Sequence, residues 1–243
     1  MLISAIVWLI MGIALILIFF IYIFIWFISF PFDRNKYVVQ KVTQLWVKFY
    51  IFIFPFWRII VIDKHKILKD RPCIAVSNHQ SQLDIAMLFY LYGYFVWVSK
   101  IENFRIPIVG WVMSLNRYIS LDRNDPKTFP KMFEGISKAI KENKTVMMFP
   151  EGTRSKDCEL GRFKEGAFKA AIENKTSILP IVLDGTGRAI PKEGMLISGK
   201  TKITIKVLDL IPYESFPSYD PAILKEHIKG IIAKELDIIR KSA

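Results

Sequence analysis

The feature that most restricts the fold of this chain is an uncharged apolar run at its start. Residues 2–30 carry no charged side chain, and only Ser4, Gly12 and Ser29 interrupt the run. As a helix this run would be about 43 Å long, which exceeds the ~30 Å hydrocarbon core of a bilayer. A secretory signal peptide has a basic start and a shorter apolar core, and this run has neither. We therefore predict a membrane segment.

The charges around this segment predict its orientation. Arg34, Lys36, Lys41 and Lys48 follow it, and no basic side chain precedes it. Lysine and arginine are enriched on the cytoplasmic side of membrane helices. We therefore expect the rest of the chain to lie on the cytoplasmic face of the cell membrane.

A second helix is predicted over residues 34–54, where apolar residues recur at helical spacing among lysines and glutamines. Residues 49–57 at its far end are apolar and aromatic, too few to span a bilayer but suited to its interface. Pro31 and Pro55 punctuate the two helices. We interpret residues 1–57 as a membrane-embedded helical hairpin. The placement of the first helix stays open, because it can cross the bilayer or lie tilted in one leaflet. In an alternative arrangement the first helix is the only anchor and the second packs on the soluble body.

The periodicity changes from Arg58 onward, and short β-branched runs alternate with helical patterns. This alternation predicts an α/β domain over residues 58–243, with a mostly parallel central sheet flanked by helices. The predicted strands are 59–62, 73–76, 95–98, 118–121, 146–149, 177–183 and 203–208. The predicted helices are 84–91, 104–115, 129–141, 163–173 and 221–240.

The composition narrows the classes of partner. Lys+Arg 34 against Asp+Glu 22 give a net charge of +12, and 52% of the residues are hydrophobic. A basic body suits anionic lipid or an acidic carrier. We expect no nucleic-acid partner, because the chain has no zinc spacing, RNA-binding aromatic signature or basic heptad array. The two cysteines, Cys73 and Cys158, fit no redox or metal spacing and indicate a reduced compartment. The three histidines offer no ligand cluster, so no metal is predicted.

Residues 78–84, Asn-His-Gln-Ser-Gln-Leu-Asp, lie between a predicted buried strand and a predicted buried helix. This places His79 on a loop and Asp84 in the first helical turn. The carboxylate can accept from one imidazole nitrogen and leave the other free to take a proton from a substrate. The alternative is that Ser81 or Asp84 caps the helix and His79 is an ordinary loop residue.

Three other polar stretches follow predicted strands. Lys100 and Arg123 each come shortly after a strand, and residues 151–154, Glu-Gly-Thr-Arg, follow a third. Ligands gather where the carboxyl ends of parallel strands meet, so we expect these residues to line the same rim as His79. Gly152 permits a tight turn that presents amides, and the fork of Arg154 suits a phosphate or carboxylate. Singly, each also has a simpler interpretation as a turn, a hinge or a surface charge.

The motif H-x4-D at 79–84 and the motif E-G-T-R at 151–154, with Arg123 between them, resemble the glycerolipid acyltransferase family, specifically its 1-acylglycerol-3-phosphate acyltransferases. The resemblance runs over residues 72–183 and includes segments 104–107, 163–167 and 179–181. H-x4-D alone is a weak signal, whereas both motifs in this order and spacing are specific. The second block departs from the family pattern G-x-x-F-[IV]-x-R, because Arg117 replaces the glycine and Ser120 the aromatic residue.

The resemblance implies transfer of a fatty acyl group from a thioester to the sn-2 hydroxyl of 1-acyl-glycerol-3-phosphate (lysophosphatidic acid), which gives phosphatidic acid. Acyl carrier protein or coenzyme A would carry the acyl group as co-substrate, with no further cofactor. His79 would act as general base and Asp84 would orient it. Amides at the start of the following helix would receive the oxyanion. The substrate-binding residues implied are Asn78, Lys100, Arg123, Glu151, Gly152, Thr153 and Arg154.

Two other interpretations remain. In one, the chemistry is the same but the acceptor is glycerol-3-phosphate or a lysolipid without phosphate. In the other, the chain is a non-catalytic membrane module that binds anionic lipid through its basic face, which leaves the pairing of His79 with Asp84 unexplained.

Overall fold

The computed structural model describes residues 2–53, 56–68, 70–92, 94–192 and 199–242. Within these ranges the strands are β1 Trp57–Ile62, β2 Ile74–Ser77, β3 Phe95–Lys100, β4 Ile119–Leu121, β5 Thr145–Met148, β6 Ile178–Asp184 and β7 Thr201–Val207. The helices are α1 Leu2–Ser29, α2 Tyr37–Ile53, α3 Leu83–Leu91, α4 Ile101–Phe104, α5 Val109–Leu115, α6 Thr128–Lys141, α7 Gly166–Glu173, α8 Thr186–Ala189 and α9 Pro221–Lys241.

The seven strands form one sheet in the order β1-β7-β6-β2-β5-β3-β4. Neighbouring strands are parallel except β6 and β7, which are antiparallel. The carboxyl ends of β2, β3, β4, β5 and β6 therefore share one edge, and those of β1 and β7 lie at the opposite edge. The predicted α/β fold with a mostly parallel sheet flanked by helices is confirmed, and each predicted strand forms.

The two faces of the sheet bury different side chains because consecutive strand residues point to opposite sides. In β2, Ile74 and Val76 belong to an apolar cluster with α6, α7 and α9. Ala75 belongs to a second cluster with α3, β1 and β7. The sheet therefore lies between two apolar layers, and the polar loops at its carboxyl edge are left to form a site.

The prediction of a single helix over residues 104–115 is wrong. The structure divides this segment into α4 and α5, separated by residues 105–108. Pro107 has no amide hydrogen to donate and disfavours helical geometry at the residue before it. Ile108 has a positive φ of 66°, which no continuous helix accommodates. The predicted helices starting at residues 34 and 163 begin at Tyr37 and Gly166.

Helix α2 begins where it does because the Asp33 carboxylate caps it. Its two oxygens accept from the backbone amides of Tyr37 at 2.8 Å and Val38 at 3.0 Å. First-turn amides have no partner within the helix, so this buried carboxylate satisfies two of them. The other end of the predicted helix, with Pro55, falls at residues 54 and 55, which lie outside the described residues.

The N-terminal helices pack on each other and on the body. Met11 and Trp46 contact Tyr50, and Val47 and Ile51 of α2 pack against the apolar layer that contains α3. Helix α1 also reaches α5. Over Trp8–Ser29, α1 is the one helix in the described ranges that is long and apolar enough to cross a membrane. Its membrane placement, and the division of the chain at residue 57, stay predictions.

Candidate active site

The predicted histidine and aspartate meet at the carboxyl edge of the sheet. The chain leaves β2 into a loop that carries His79, and Asp84 lies in the first turn of α3. The His79 Nδ1 atom lies 2.8 Å from Asp84 Oδ2. The two side chains are 14% and 0% exposed. The imidazole is therefore oriented by a carboxylate shielded from water, and only a small part of the imidazole itself is exposed.

The Asp84 carboxylate also organises the loop. Besides the imidazole, its Oδ2 atom accepts from the backbone amides of Gln80 at 2.7 Å and Ser81 at 2.9 Å. The amide of Leu83 donates to the Ser81 hydroxyl. These helix-start amides, which we expected to receive an oxyanion, are therefore occupied in this structure.

Phe149, which the sequence analysis did not single out, forms one wall of the site. Its ring stacks on the imidazole of His79 with centroids 3.9 Å apart and planes 10° from parallel. Phe149 directly follows β5, the strand adjacent to β2. Among the described residues none hydrogen-bonds His79 Nε2, so this nitrogen remains available to a substrate.

Glu151 joins the histidine loop to the E-G-T-R loop. Its Oε1 atom accepts from the amide of His79 at 2.8 Å, and its Oε2 atom accepts from the amide of Gly161 at 3.0 Å. The amide of Ser155 in turn donates to the His79 carbonyl at 2.8 Å. Burial raises the pKa of Glu151, and the two amide bonds work against that shift. Both oxygens thus hold main chain in place.

Arg123 reaches the same rim from a distant strand. It follows β4, three strands from β2, or about 14 Å away at the usual strand spacing. Its Nη1 atom donates to the carbonyl of Gly152. Gly152 has a φ of 71°, and a Cβ there would lie 3.3 Å from the Arg123 guanidinium. Burial lowers the pKa of Arg123, although the charge of Glu102 opposes that effect.

Lys100 and Lys164 add positive charge beside Arg123. Burial lowers the pKa of Lys164, and the charges of Arg123 and Lys100 lower it further. The backbone places them at the same edge: Lys100 pairs with Leu121, two residues before Arg123, and the Lys164 amide donates to the Pro150 carbonyl at 2.8 Å. Lys164 was not among the predicted site residues, because it comes from the loop before α7 rather than from a strand end.

Arg154 and Thr153 occupy the outer part of the rim. Thr153 is exposed, and Lys192 donates to its hydroxyl at 3.4 Å and to the Arg154 carbonyl at 2.6 Å. The Arg154 side chain lines an open groove that Arg162 and Lys164 also line, whereas His79 does not. The E-G-T-R loop therefore divides into a buried half that holds the histidine loop and an exposed half that faces solvent.

Asn78 is buried, and the main chain occupies its amide. Its Nδ2 atom donates to the Leu183 carbonyl at 2.7 Å, and its Oδ1 atom accepts from the Leu183 amide at 2.9 Å. This pair of bonds ties the start of the histidine loop to β6. The structure places Asn78 as a support for the loop rather than on its open side.

A second network supports the site from behind. The Gln80 side chain donates to Asp184 and to the Cys158 carbonyl, and Asp184 is also paired with Arg188 and Arg240. Burial alone would raise the pKa of Asp184, but the two guanidinium groups lower it below its usual value. Arg240 also contacts Glu159 and the Cys158 carbonyl. This residue of α9 thus connects β6 to residues 158 and 159, beyond the E-G-T-R motif, and reaches Gln80 through Asp184.

The fold and the rim define a class of transferase. A mostly parallel α/β sheet presents a histidine and aspartate pair at the carboxyl edge of its parallel strands, beside a basic loop. The sequence model of the acyltransferase family matches residues 58–184, which contain the pair and the loop. The chain belongs to the acyltransferase family.

Its relatives include named enzymes. The chloroplastic 1-acyl-sn-glycerol-3-phosphate acyltransferase LPAT1 of Arabidopsis thaliana is 40% identical over 68% of this chain and 46% of its own length. The 1-acyl-sn-glycerol-3-phosphate acyltransferase of Borreliella burgdorferi is 29% identical over 75% of this chain and 73% of its own length. The chain spans about half the length of its algal and plant relatives.

A solved structure shares the fold over nearly the full chain. The crystal structure of the 1-acyl-sn-glycerophosphate acyltransferase PlsC from Thermotoga maritima superposes with a TM-score of 0.77 at 24% identity. The match covers 96% of this chain and 95% of that chain. The shared fold therefore includes the N-terminal helices as well as the sheet.

Proposed function

We propose that this protein transfers a fatty acyl group from acyl carrier protein or coenzyme A to the sn-2 hydroxyl of 1-acyl-glycerol-3-phosphate, giving phosphatidic acid. The observation that carries the proposal is the 2.8 Å pairing of His79 Nδ1 with Asp84 Oδ2, one loop away from the basic rim. The names of the relatives support this choice of acceptor.

The reaction follows from the position of the free imidazole nitrogen. His79 Nε2 takes the proton of the acceptor hydroxyl as its oxygen attacks the thioester carbonyl. Asp84 accepts from Nδ1–H and stabilises the imidazolium that forms. The tetrahedral adduct then collapses, the carbon–sulfur bond breaks, and the imidazolium returns the proton to the leaving thiolate. The stacked ring of Phe149 holds the imidazole plane during both transfers.

The phosphate of the acceptor binds the basic rim. Arg123 uses one donor on the Gly152 carbonyl, and a guanidinium has five N–H donors, so the others remain for phosphate oxygens. Lys100 and Lys164 supply charge beside it, and Arg154 supplies a fork from the exposed half of the loop. Charge-assisted bonds of this kind are the strong ones in phosphate recognition.

The acyl group passes directly from donor to acceptor. Ser81 is fully buried, and its hydroxyl donates to the Ile190 carbonyl at 2.6 Å. Cys73 lies just before β2, at the opposite edge of the sheet from His79, and burial raises the pKa of its thiol to about 11. Neither group is placed to form an acyl-enzyme, so the two substrates meet in a ternary complex.

The hairpin of residues 1–57 positions the domain of residues 58–243 on the cytoplasmic face of the cell membrane. A lysophospholipid keeps its acyl chain in the bilayer and its phosphate at the surface, where a basic rim meets it. The donor arrives from the cytoplasm, and the net charge of +12 suits either an acidic carrier protein or the phosphates of coenzyme A.

The test is an acceptor panel. Purified full-length protein in lipid vesicles is offered lysophosphatidic acid, glycerol-3-phosphate and a lysolipid without phosphate, each with both thioester donors, and products are identified by mass spectrometry. We expect phosphatidic acid as the main product. Preferred acylation of another acceptor would contradict the proposed substrate. No transfer with any combination of acceptor and donor would contradict the proposed acyltransferase activity.

A further inference from the structure

An apolar face of the catalytic domain lies exposed beside the site. It consists of Ile106, Val109 and Trp111, at the start of α5, which are 47%, 38% and 54% exposed. We call it the α5 face. Gly110 fixes its shape, because a Cβ at this position would lie 2.0 Å from the Phe104 carbonyl oxygen. The close approach packs α5 against α4 and leaves the three side chains directed outward.

The α5 face lies at the same edge of the sheet as His79. Helix α4 begins directly after Lys100, the last residue of β3, and Glu102 lies close enough to Arg123 for its charge to act on the guanidinium. The segment between α4 and α5 therefore borders the mouth of the proposed site.

Two contacts set the direction of α1 relative to α5. The Phe19 ring lies 5.6 Å from the Trp111 ring. Shortly after α1 ends, the Tyr37 ring lies 5.2 Å from the ring of Tyr94, which directly precedes β3 at the sheet edge opposite His79. Helix α5 leads to the start of β4 at that same edge. The two helices therefore run in the same direction, and the part of α1 before Phe19 extends past the start of α5.

Over residues 8–18 that projecting part of α1 is apolar and largely exposed. Leu9 and Leu17 are 65% and 62% exposed, and the segment lies within the helix that is long and apolar enough to cross a membrane. If α1 is immersed in lipid, as the proposed function requires, the α5 face lies where α1 enters the bilayer.

We propose that the α5 face inserts into the boundary between headgroups and acyl chains of the leaflet that holds α1. This second membrane contact rests on the anchoring in the proposed function. Tryptophan is enriched at that depth, and the exposed Arg105 beside the face is suited to anionic headgroups. A lipid acceptor then reaches the rim without leaving the bilayer.

The test measures immersion directly and does not depend on catalysis. In a full-length Cys73→Ala, Cys158→Ser background, single cysteines are introduced as Ile106→Cys, Ile13→Cys and Lys131→Cys and labelled with an environment-sensitive fluorophore. Ile13 of α1 is the immersed reference, and Lys131 is an exposed reference on α6. Each protein is bound to phosphatidylcholine–phosphatidylglycerol vesicles that contain nitroxide lipids, with the nitroxide either near the headgroup or deep in the acyl region.

We expect the label at 106 to be quenched strongly by the shallow nitroxide and weakly by the deep one, and the label at 131 by neither. Quenching at 13 without quenching at 106 would overturn the proposal and indicate a protein partner or a second copy on this face. Absence of quenching at both positions would overturn the anchor as well. An inactive protein that shows the expected quenching would instead refute only the proposed function.

A kinetic readout uses Ile106→Asp, which places a charge on the face. We expect the apparent KM for lysophosphatidic acid in vesicles to rise roughly 5-fold, since a charge weakens interfacial binding, and the rate on a water-soluble short-chain acceptor to stay unchanged. Lys131→Asp is the matched control. An equal loss of activity on the vesicle-bound and the water-soluble acceptor would contradict the proposal.

Discussion

The α/β body and the N-terminal hairpin bury their apolar side chains in opposite ways. In the body, residues such as Ile74 and Phe168 are fully buried between the sheet and its helices, whereas Phe24 and Phe27 of α1 are 65% and 75% exposed. The body thus supplies its own apolar interior, while α1 leaves a large apolar surface exposed, which the proposed function places in the membrane. Under the proposed function the body carries out the chemistry and the hairpin sets the location, so we expect that mutation can impair either one without the other.

The largest expected effect is on transfer alone. Asp84→Asn replaces the carboxylate that accepts from His79 Nδ1, so the imidazole loses the charge that stabilises its protonated form. We expect kcat to fall on the order of 10³- to 10⁴-fold, as in other histidine–aspartate pairs, with unchanged vesicle association in a flotation assay. Asp209→Asn, a control at an exposed aspartate, should leave both unchanged. Loss of vesicle association in Asp84→Asn would show that catalysis and membrane association are not separable.

The next effect is on acceptor binding. Arg154→Ala removes a guanidinium from the exposed half of the E-G-T-R loop. We expect KM for lysophosphatidic acid to rise about 10- to 100-fold, since a hydrogen bond to a charged group contributes roughly 1.5–3 kcal/mol, and KM for an acceptor without phosphate to stay unchanged. Steady-state kinetics on the two acceptors measures this, with Arg71→Ala as the surface control. A similar rise on both acceptors would show that Arg154 does not read the phosphate.

A smaller effect tests the network behind the site. Arg240→Ala removes the side chain that joins Asp184, Glu159 and the Cys158 carbonyl. We expect kcat to fall about 10-fold through misplacement of the histidine loop, with little change in either KM. Arg240→Lys, which keeps the charge, should recover part of the loss, and Lys241→Ala on the same helix should have no effect. A rise in KM with unchanged kcat would contradict a positioning role.

The smallest effect is on the hairpin. Asp33→Ala removes the cap of α2, which should cost about 0.5–2 kcal/mol and lower the melting temperature by roughly 2–4 °C per kcal/mol. Transfer at 25 °C should be unchanged, because the cap is remote from the rim. Differential scanning fluorimetry in detergent measures the shift, with Asp237→Ala as control. A large loss of transfer would show that the hairpin and the site are coupled.

The sequence predicted those features that depend on residues close together in the chain. The strands were predictable as short β-branched runs, and His79 and Asp84 as a pair across a single loop. The break at residues 105–108 was missed because helical periodicity continues across Pro107. Phe149, Lys164 and Arg240 were missed because their roles depend on which strands are neighbours and on where α9 packs, and neither is visible in a linear pattern.

The most direct measurement of the central claim is product formation by full-length His79→Ala in vesicles, with and without added imidazole. The substitution leaves a space beside Phe149 and Asp84 of the size of the missing ring. We predict that transfer of the acyl group to lysophosphatidic acid falls about 10²- to 10⁴-fold, that vesicle association is retained, and that imidazole restores part of the rate. Turnover near that of the unmodified protein in His79→Ala would contradict the account.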